Sequence, residues 1–431
     1  MAHNLLQDHL YGDLLSPTIG YHTDFAIGMT YSLDFDTLLT ANLAFGLLGD
    51  VDNSAVQAPH ILLESIIKNS DKIVIFCNKG NIAVPPTIRK VYSLLEKNVF
   101  EVYNPADHTA NFHPKMWLIR EICDDSDDTL LKFIITSRNL ACADTIDCIA
   151  ALKGKVGSSH IKNEKHKVLR NFIERVVEYS NIEEEQKKHV LKLAKELERV
   201  EHFNVDAPFD DYDFYPYLFQ EDFGLGNVED YLRGTESIIV SPFIHKEFLK
   251  RVSPDKREHR ALITRKEYVD KEVFNMFDAK GGVYITLDDL ASKRMDLHAK
   301  MYLVWNGREN NSLFLGSANA TTSAFDRNGE LLLRLKFVKG NSKFDSFLKN
   351  FYEDGNRDSK FMRLNSVSEK DAAIIRWNNA ELAMKELMCA EDLYAKIIHH
   401  RDGLYSITVT SKLKKLSNAV NIAPFQKKEM L

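Results

Sequence analysis

The chain has 431 residues, 44% of them hydrophobic, and a formal net charge of −6. That length suits two or three domains with ordinary cores, and the mild acidity gives no sign of a uniformly basic nucleic-acid binder while leaving room for a local basic cleft. No apolar run approaches the roughly 20 residues of a bilayer span; MAHNLLQDHLYGDLLS lacks the basic and apolar regions of a signal peptide; and five cysteines without a C-x-x-C pair argue against a disulfide framework or cysteine-ligated zinc and suit a reducing cytoplasm.

Short apolar runs bounded by Gly, Pro, Asn or Asp predict strands, and longer stretches with apolar residues three and four apart predict helices. In chain order these are strand AIGMTYSL (26–33), helix DFDTLLTANLAFGLL (34–48), strand KIVIFC (72–77), helix PTIRKVYSLLEK (86–97) and strand VFEVYN (99–104), followed by the strands in FHPKMWLIR (112–120) and FIITSRNL (133–140). Residues 159–225 change character. KHKVLRNFIERVVEYS and EEEQKKHVLKLAKELERV have helical spacing, and DAPFDDYDFYPYLFQEDFG is an acidic, aromatic stretch expected to be a linker or packed loop. Strand and helix alternation then resumes with SIIVSPFI (237–244), HKEFLKRV (245–252), ALITR (261–265), VDKEVFNMF (269–277) and VYITL (283–287), leading into LHAKMYLVW (297–305) and LFLGSANAT (313–321). A helix SEKDAAIIRWNNAELAMKELM, with Ser368 and Asp371 as its N-terminal cap, and a strand LYSITVT follow. The expected organisation is an α/β chain with a first lobe at 1–158, a helical insertion and acidic linker at 159–225, a second lobe at 226–350 and a C-terminal helical extension at 351–431.

The two lobes carry one motif twice. His113, Lys115, Ser137 and Asn139 in the first match His298, Lys300, Ser317 and Asn319 in the second, and the two histidines lie 185 positions apart (298 − 113), a domain-sized repeat. On a strand, His-x-Lys and Ser-x-Asn would each point two side chains to one face. Lysine supplies a point charge for phosphate oxygens, and Ser and Asn supply neutral donors. Two imidazoles, one neutral and one protonated, can attack phosphorus and protonate the leaving oxygen. No metal or other cofactor is expected. His108 reads as a loop residue, His245 as a helix-start residue, and Met116 and Met301 as core.

These residues resemble the phospholipase D superfamily, whose signature is His-x-Lys followed by Ser-x-Asn, carried twice; the likeness spans roughly residues 25–340. The family's Asp five residues after the Lys is replaced by Arg120 and Trp305. The tyrosyl-DNA phosphodiesterase branch also lacks that Asp and reads Thr-Ser-x-Asn-Leu, as TSRNL does here, which favours a phosphodiesterase over a lipase. The resemblance implies two mixed β-sheet lobes flanked by helices, related by a pseudo-two-fold axis with the site between them, and a histidine-orienting acid downstream of each Asn. Glu330 stands eleven residues after Asn319, and Asp147, eight after Asn139, is its expected counterpart, with Asp144 nearer still.

The expected activity is metal-independent phosphodiester hydrolysis through a phosphohistidine. Nucleic acid, DNA above all, is the expected substrate and partner, with Arg138, Arg120 and Arg265 as substrate contacts at predicted strand ends and no membrane. The resemblance associates such chains with DNA restriction, repair or phage defence. A phospholipase D or transphosphatidylase and a non-catalytic nucleic-acid-binding subunit are the alternatives, and a second copy of the chain, a helicase or an ATPase are the protein partners left open.

Overall fold

The structure is a computed structural model that describes residues 11–47, 59–85, 87, 89–141, 145–158, 160, 162–221, 223, 227–253, 259–278, 281–286, 296–307, 311–338, 343–352, 360–367, 394–400 and 405–410. In chain order the elements are α1 (Tyr11–Leu15), β1 (Tyr21–Thr30), α2 (Phe35–Leu47), α3 (Pro59–Ser70), β2 (Ile73–Asn78), α4 (Tyr92–Glu96), β3 (Val99–Val102), β4 (Met116–Cys123), β5 (Thr129–Thr136), β6 (Thr145–Ile146) and β7 (Ile149–Lys155). Next come α5 (Glu164–Glu178), α6 (Glu184–Glu196), β8 (Asp211–Tyr217), α7 (Val228–Leu232), β9 (Glu236–Val240), α8 (Lys246–Val252), β10 (His259–Thr264), α9 (Lys271–Phe277), β11 (Gly282–Thr286) and β12 (Asp296–Leu297). The chain continues with β13 (Met301–Trp305), β14 (Asn311–Gly316), α10 (Thr322–Asp326), β15 (Glu330–Phe337), α11 (Phe344–Phe351), β16 (Phe361–Arg363), β17 (Tyr394–His399) and β18 (Tyr405–Thr410).

Two mixed sheets repeat one topology. The first has the order β3-β2-β1-β4-β5-β7, and the second has β11-β10-β9-β13-β14-β15 flanked by β16 and β8. In each, three parallel strands lead into an antiparallel meander. Period-2 alternation sorts the side chains. Ile27, Met29, Phe133 and Ile135 of one sheet share a core with Leu313, Leu315, Leu331 and Leu333 of the other. The opposite faces, with Ala26, Trp117 and Ile134 or Ile239, Tyr302 and Phe314, are covered by α2–α4 and by α7–α10 respectively. Both sheets belong to one compact unit, Met1–Tyr103 with Ala110–Glu369. A second unit comprises Asn104–Thr109, which holds the loop residue His108, and Lys370–Leu431, in which β17 and β18 pair as an antiparallel hairpin.

Two sequence expectations change. DYDFYPY is not a linker: it forms β8 on the edge of the second sheet, paired with β15, because its aromatics at alternate positions bury Tyr212 and Phe214 while Asp211 and Asp213 meet Lys165 and Lys336. The helix expected over 86–97 shrinks to α4, since residues 89–94 begin in tight i→i−3 turns. Helix α3 and strand β17 had no counterpart in the sequence reading. The expected helix with its Ser368 and Asp371 cap lies outside the described residues.

Candidate active site

The motif residues stand beside strands rather than on them. His113 and Lys115 occupy the segment entering β4, His298 and Lys300 the segment between β12 and β13, Ser137 and Asn139 the loop leaving β5, and Ser317 and Asn319 the loop leaving β14. Strand alternation, the expected device, therefore does not aim His and Lys; each lysine instead bonds back to the carbonyl of its own histidine. Lys115 Nζ donates to the His113 carbonyl at 3.0 Å, and Lys300 Nζ donates to the His298 carbonyl at 2.7 Å and to the Ser137 carbonyl at 3.3 Å. Met116 and Met301 pack in or against the shared core.

Each histidine takes its carboxylate from the other lobe. His113 Nδ1 lies 2.9 Å from Glu330 Oε2, and His298 Nδ1 lies 2.9 Å from Asp147 Oδ1. The backbone crosses with them: His113 N donates to the Gly329 carbonyl at 2.8 Å, His298 N donates to the Ile146 carbonyl at 2.9 Å, and β12 pairs with β6. Both carboxylates are held from two further sides. Asp147 accepts from Ser137 Oγ at 2.7 Å and from Thr145 Oγ1; Glu330 accepts from Ser317 Oγ and from Asn328 Nδ2 at 3.4 Å. With Nδ1 facing a carboxylate, the ring proton belongs on Nδ1 and Nε2 is left for chemistry.

Lys115, Lys300, Ser137, Ser317 and Glu330 are fully buried, so charge balance governs the site. Burial pushes Lys115 well down, with Lys300 adding repulsion, and pushes Lys300 down to about 8. Against burial, which raises them, the hydrogen bonds and charge of the histidines hold Asp147 and Glu330 below the usual carboxylate range. Burial also drives His113 down to about 4, opposed by Glu330, and His298 down to about 3, reinforced by Lys300. Two lysines facing two carboxylates balance the site when both lysines are protonated and both imidazoles neutral. A bound monoanion disturbs that balance and favours a proton on one imidazole. The Oδ1 atoms of Asn139 and Asn319 are buried without a hydrogen-bond partner among the described residues, so the carboxamides have polar capacity left for a ligand.

Supporting residues follow the same pseudo-symmetry and were missed in the sequence. Thr30 Oγ1 accepts from Leu140 N at 3.0 Å, and Ser241 Oγ accepts from Ala320 N at 2.9 Å, pinning the loops that carry Asn139 and Asn319. Asn328 and Thr145 each precede their carboxylate by two residues. Setting GMTYSLD against IVSPFIH would have paired Thr30 with Ser241. The Tyr31 ring meets that of His113 edge-on, centroids 5.0 Å apart, without a counterpart aromatic in the repeat, where Pro242 stands.

The three arginines differ in their surroundings. Arg138 sits between Ser137 and Asn139, with its backbone N–H on Thr136 Oγ1 at 3.0 Å. Arg120 lies four residues along β4 from Met116, roughly 13 Å at strand rise, and its guanidinium pairs with Asp24 and Glu196, each at 2.7 Å. Arg265 holds the Leu297 carbonyl through Nε at 3.1 Å and Nη2 at 2.9 Å and pairs with Asp296 at 2.6 Å. These bonds hold Arg120 and Arg265 to partners within the protein. Asp144 lies outside the described residues. His245 is the N-cap residue of α8, and its Nδ1 hydrogen-bonds with Thr322 Oγ1 at 3.0 Å. Among the described residues no cluster of three or more His, Cys, Asp or Glu is placed to hold a metal ion, and no helix is long and apolar enough to cross a membrane.

No family model matches the chain, and no curated protein does. Solved structures with a similar fold include yeast tyrosyl-DNA phosphodiesterase, 12% identical with a TM-score of 0.43, covering 77% of this chain and 85% of that one. A histidine-to-alanine mutant of the same enzyme has a TM-score of 0.45 at 12% identity, over 78% of this chain and 87% of that one. Polyphosphate kinase from Porphyromonas gingivalis has a TM-score of 0.43 at 12% identity, over 87% of this chain, which spans half of the kinase. Likenesses this distant carry no argument about the chemistry of the chain.

Proposed function

We propose that this chain is a metal-independent phosphodiesterase of the phospholipase D superfamily that cleaves nucleic acid, DNA in the first instance, through a phosphohistidine. The observation that carries the reading is the crossed pair of histidine–carboxylate contacts, His113 with Glu330 and His298 with Asp147. It joins two imidazoles, two buried lysines and two asparagines into one site, and that set suits a phosphodiester monoanion.

In the first step Nε2 of His113 attacks phosphorus while Glu330 holds its Nδ1–H. The bond from phosphorus to the leaving oxygen breaks, and His298 Nε2–H gives that oxygen its proton. In the second step water attacks phosphorus, His298 takes the water proton, and the N–P bond breaks to return neutral His113. Lys115, Lys300, Asn139 and Asn319 stabilise the equatorial oxygens in both steps. The order of the histidines follows the family resemblance. Arg138, beside Asn139, is the proposed contact to the flanking backbone. DNA repair, restriction or phage defence in a reducing cytoplasm is the proposed setting.

The test is a panel of labelled single- and double-stranded DNA and RNA incubated in excess EDTA, wild type beside His113→Ala. Cleavage by wild type alone supports the reading. Binding without cleavage would favour the non-catalytic reading, and release of headgroup from phosphatidylcholine vesicles in place of nucleic-acid cleavage would favour the lipase.

A further inference from the structure

The segment carrying His298 hangs between the lobes. On one side Asp296 and Leu297 pair with Thr145 and Ile146 of the first lobe, and the N–H of His298 donates to the Ile146 carbonyl at 2.9 Å. On the other side the carbonyl of the same Leu297–His298 peptide accepts from Nε and Nη2 of Arg265, at 3.1 and 2.9 Å. One peptide plane is thus held at both ends, from opposite lobes. The guanidinium is itself fixed, by Asp296 at 2.6 Å and by the Phe243 ring, whose centroid lies 4.7 Å from its central carbon. Phe243 follows Ser241, which pins the Asn319 loop.

The first lobe has a matching device with different chemistry. β10 is to the second sheet what β2 is to the first, so Asn78, the last residue of β2, answers to Arg265, the residue after β10. Asn78 Oδ1 accepts the N–H of Phe112 at 2.7 Å, immediately before His113. Both lobes therefore clamp the residue preceding their histidine from the end of the same strand.

We propose that Arg265 is a positioning residue for His298: it fixes the carbonyl end of the Leu297–His298 peptide and thereby sets the place of the second imidazole. The inference rests on the phosphodiesterase reading of the site. Arginine suits the task because its rigid fork reaches the carbonyl and the Asp296 carboxylate together while its face stacks on an aromatic ring.

The test uses the full chain, bis(4-nitrophenyl) phosphate as the probe substrate, and ring NMR of isotopically labelled histidines. Arg265→Ala should lower kcat about 100-fold, the scale of a misplacement near 1 Å, with KM moved much less. Arg265→Lys should recover part of that loss, since an ammonium can still donate to the carbonyl. The His298 ring signals should move in both variants while those of His113 stay. If Arg265→Ala fails to fold, Arg265→Lys carries the test through the same signals and the same kcat-to-KM split. A raised KM at unchanged kcat would mean that Arg265 holds the phosphate itself, and unmoved His298 signals with wild-type kcat would mean that it is only a surface tie; either overturns the proposal. A wild-type protein that cleaves no phosphodiester, with His298 signals still displaced in Arg265→Lys, would end the phosphodiesterase reading and leave the clamp standing.

Discussion

Replacing Glu330 by Gln keeps the shape of the site and removes one charge. In the native site the His113 Nδ1–H donates to the Glu330 carboxylate at 2.9 Å, in a buried setting where Ser317 and Asn328 hold the same carboxylate. A hydrogen bond to a charged partner contributes roughly 1.5–3 kcal/mol. At about 1.4 kcal/mol per tenfold in rate, Glu330→Gln should slow attack by His113 about 10- to 150-fold. Asp147→Asn should weaken His298 by the same reasoning. The crossed wiring gives the two variants different signatures. Rapid-quench kinetics with a nitrophenyl ester, whose leaving group needs little protonation, and with an alkyl ester of the same phosphate will separate them. Glu330→Gln should slow phosphoenzyme formation on both esters, whereas Asp147→Asn should slow it on the alkyl ester and leave the nitrophenyl ester near wild type. The opposite pattern would exchange the roles of the histidines. Equal losses on both esters in both variants would refute the division of labour altogether.

Activity should persist in excess EDTA, because in the proposed mechanism lysines and asparagines serve the phosphate; complete loss on chelation, restored by magnesium or manganese, would refute this. Both imidazoles sit below their unfolded value of 6.5, near 4 and 3, so the unfolded chain binds more protons in that interval and stability should fall as pH drops from about 6.5 to 4. Urea unfolding should show a slope worth up to about 3 kcal/mol per histidine, flattened in His113→Gln/His298→Gln; an unchanged slope there would assign the acid lability elsewhere. Turnover per bound substrate aside, kcat/KM should decline above about pH 8 as Lys300 loses its proton, and a profile flat to pH 10 would contradict its role. Gly316 has φ of 153° and a Cβ there would lie 2.2 Å from the Leu331 carbonyl, so Gly316→Ala should destabilise by about 2 kcal/mol in a melting experiment, while Gly20→Ala, with φ of 78° and open space around it, meets only backbone strain of about 1 kcal/mol. Equal melting temperatures for the two would refute the packing argument.

The duplicated motif was legible because it rests on residue type and spacing, and the α/β alternation because strand and helix periods differ. The crossing of Glu330 and Asp147 was not. Which lobe a carboxylate serves depends on how two sheets pack face to face, and nothing local to GELLLRL or TIDCIAAL encodes that. The surroundings of Arg120 were hidden for a related reason. The strand holding it enters from the site and runs away from it, to Cys123, so proximity in sequence to His113 carries the side chain to Asp24 and Glu196 instead. The acidic aromatic stretch at 211–217 was obscured by its composition: a proline and two aspartates mask an alternation that only an edge strand tolerates.

The crossed contacts also bear on why the two lobes remain one unit. A buried ammonium without a compensating anion costs several kcal/mol. Each lobe contributes its own His and Lys, and the carboxylate nearest each histidine arrives from the partner lobe together with the backbone carbonyl that holds it, Gly329 for His113 and Ile146 for His298. Pulled apart, each lobe would expose a carboxylate already saturated by its own Ser-x-Asn serine but deprived of its imidazole, and would leave its histidine without orientation. Charge, hydrogen bonding and the shared core between the sheets therefore favour the same arrangement. An anion bound between Lys115 and Lys300 would meet both halves at once, so binding of a phosphate diester and docking of the lobes should strengthen one another.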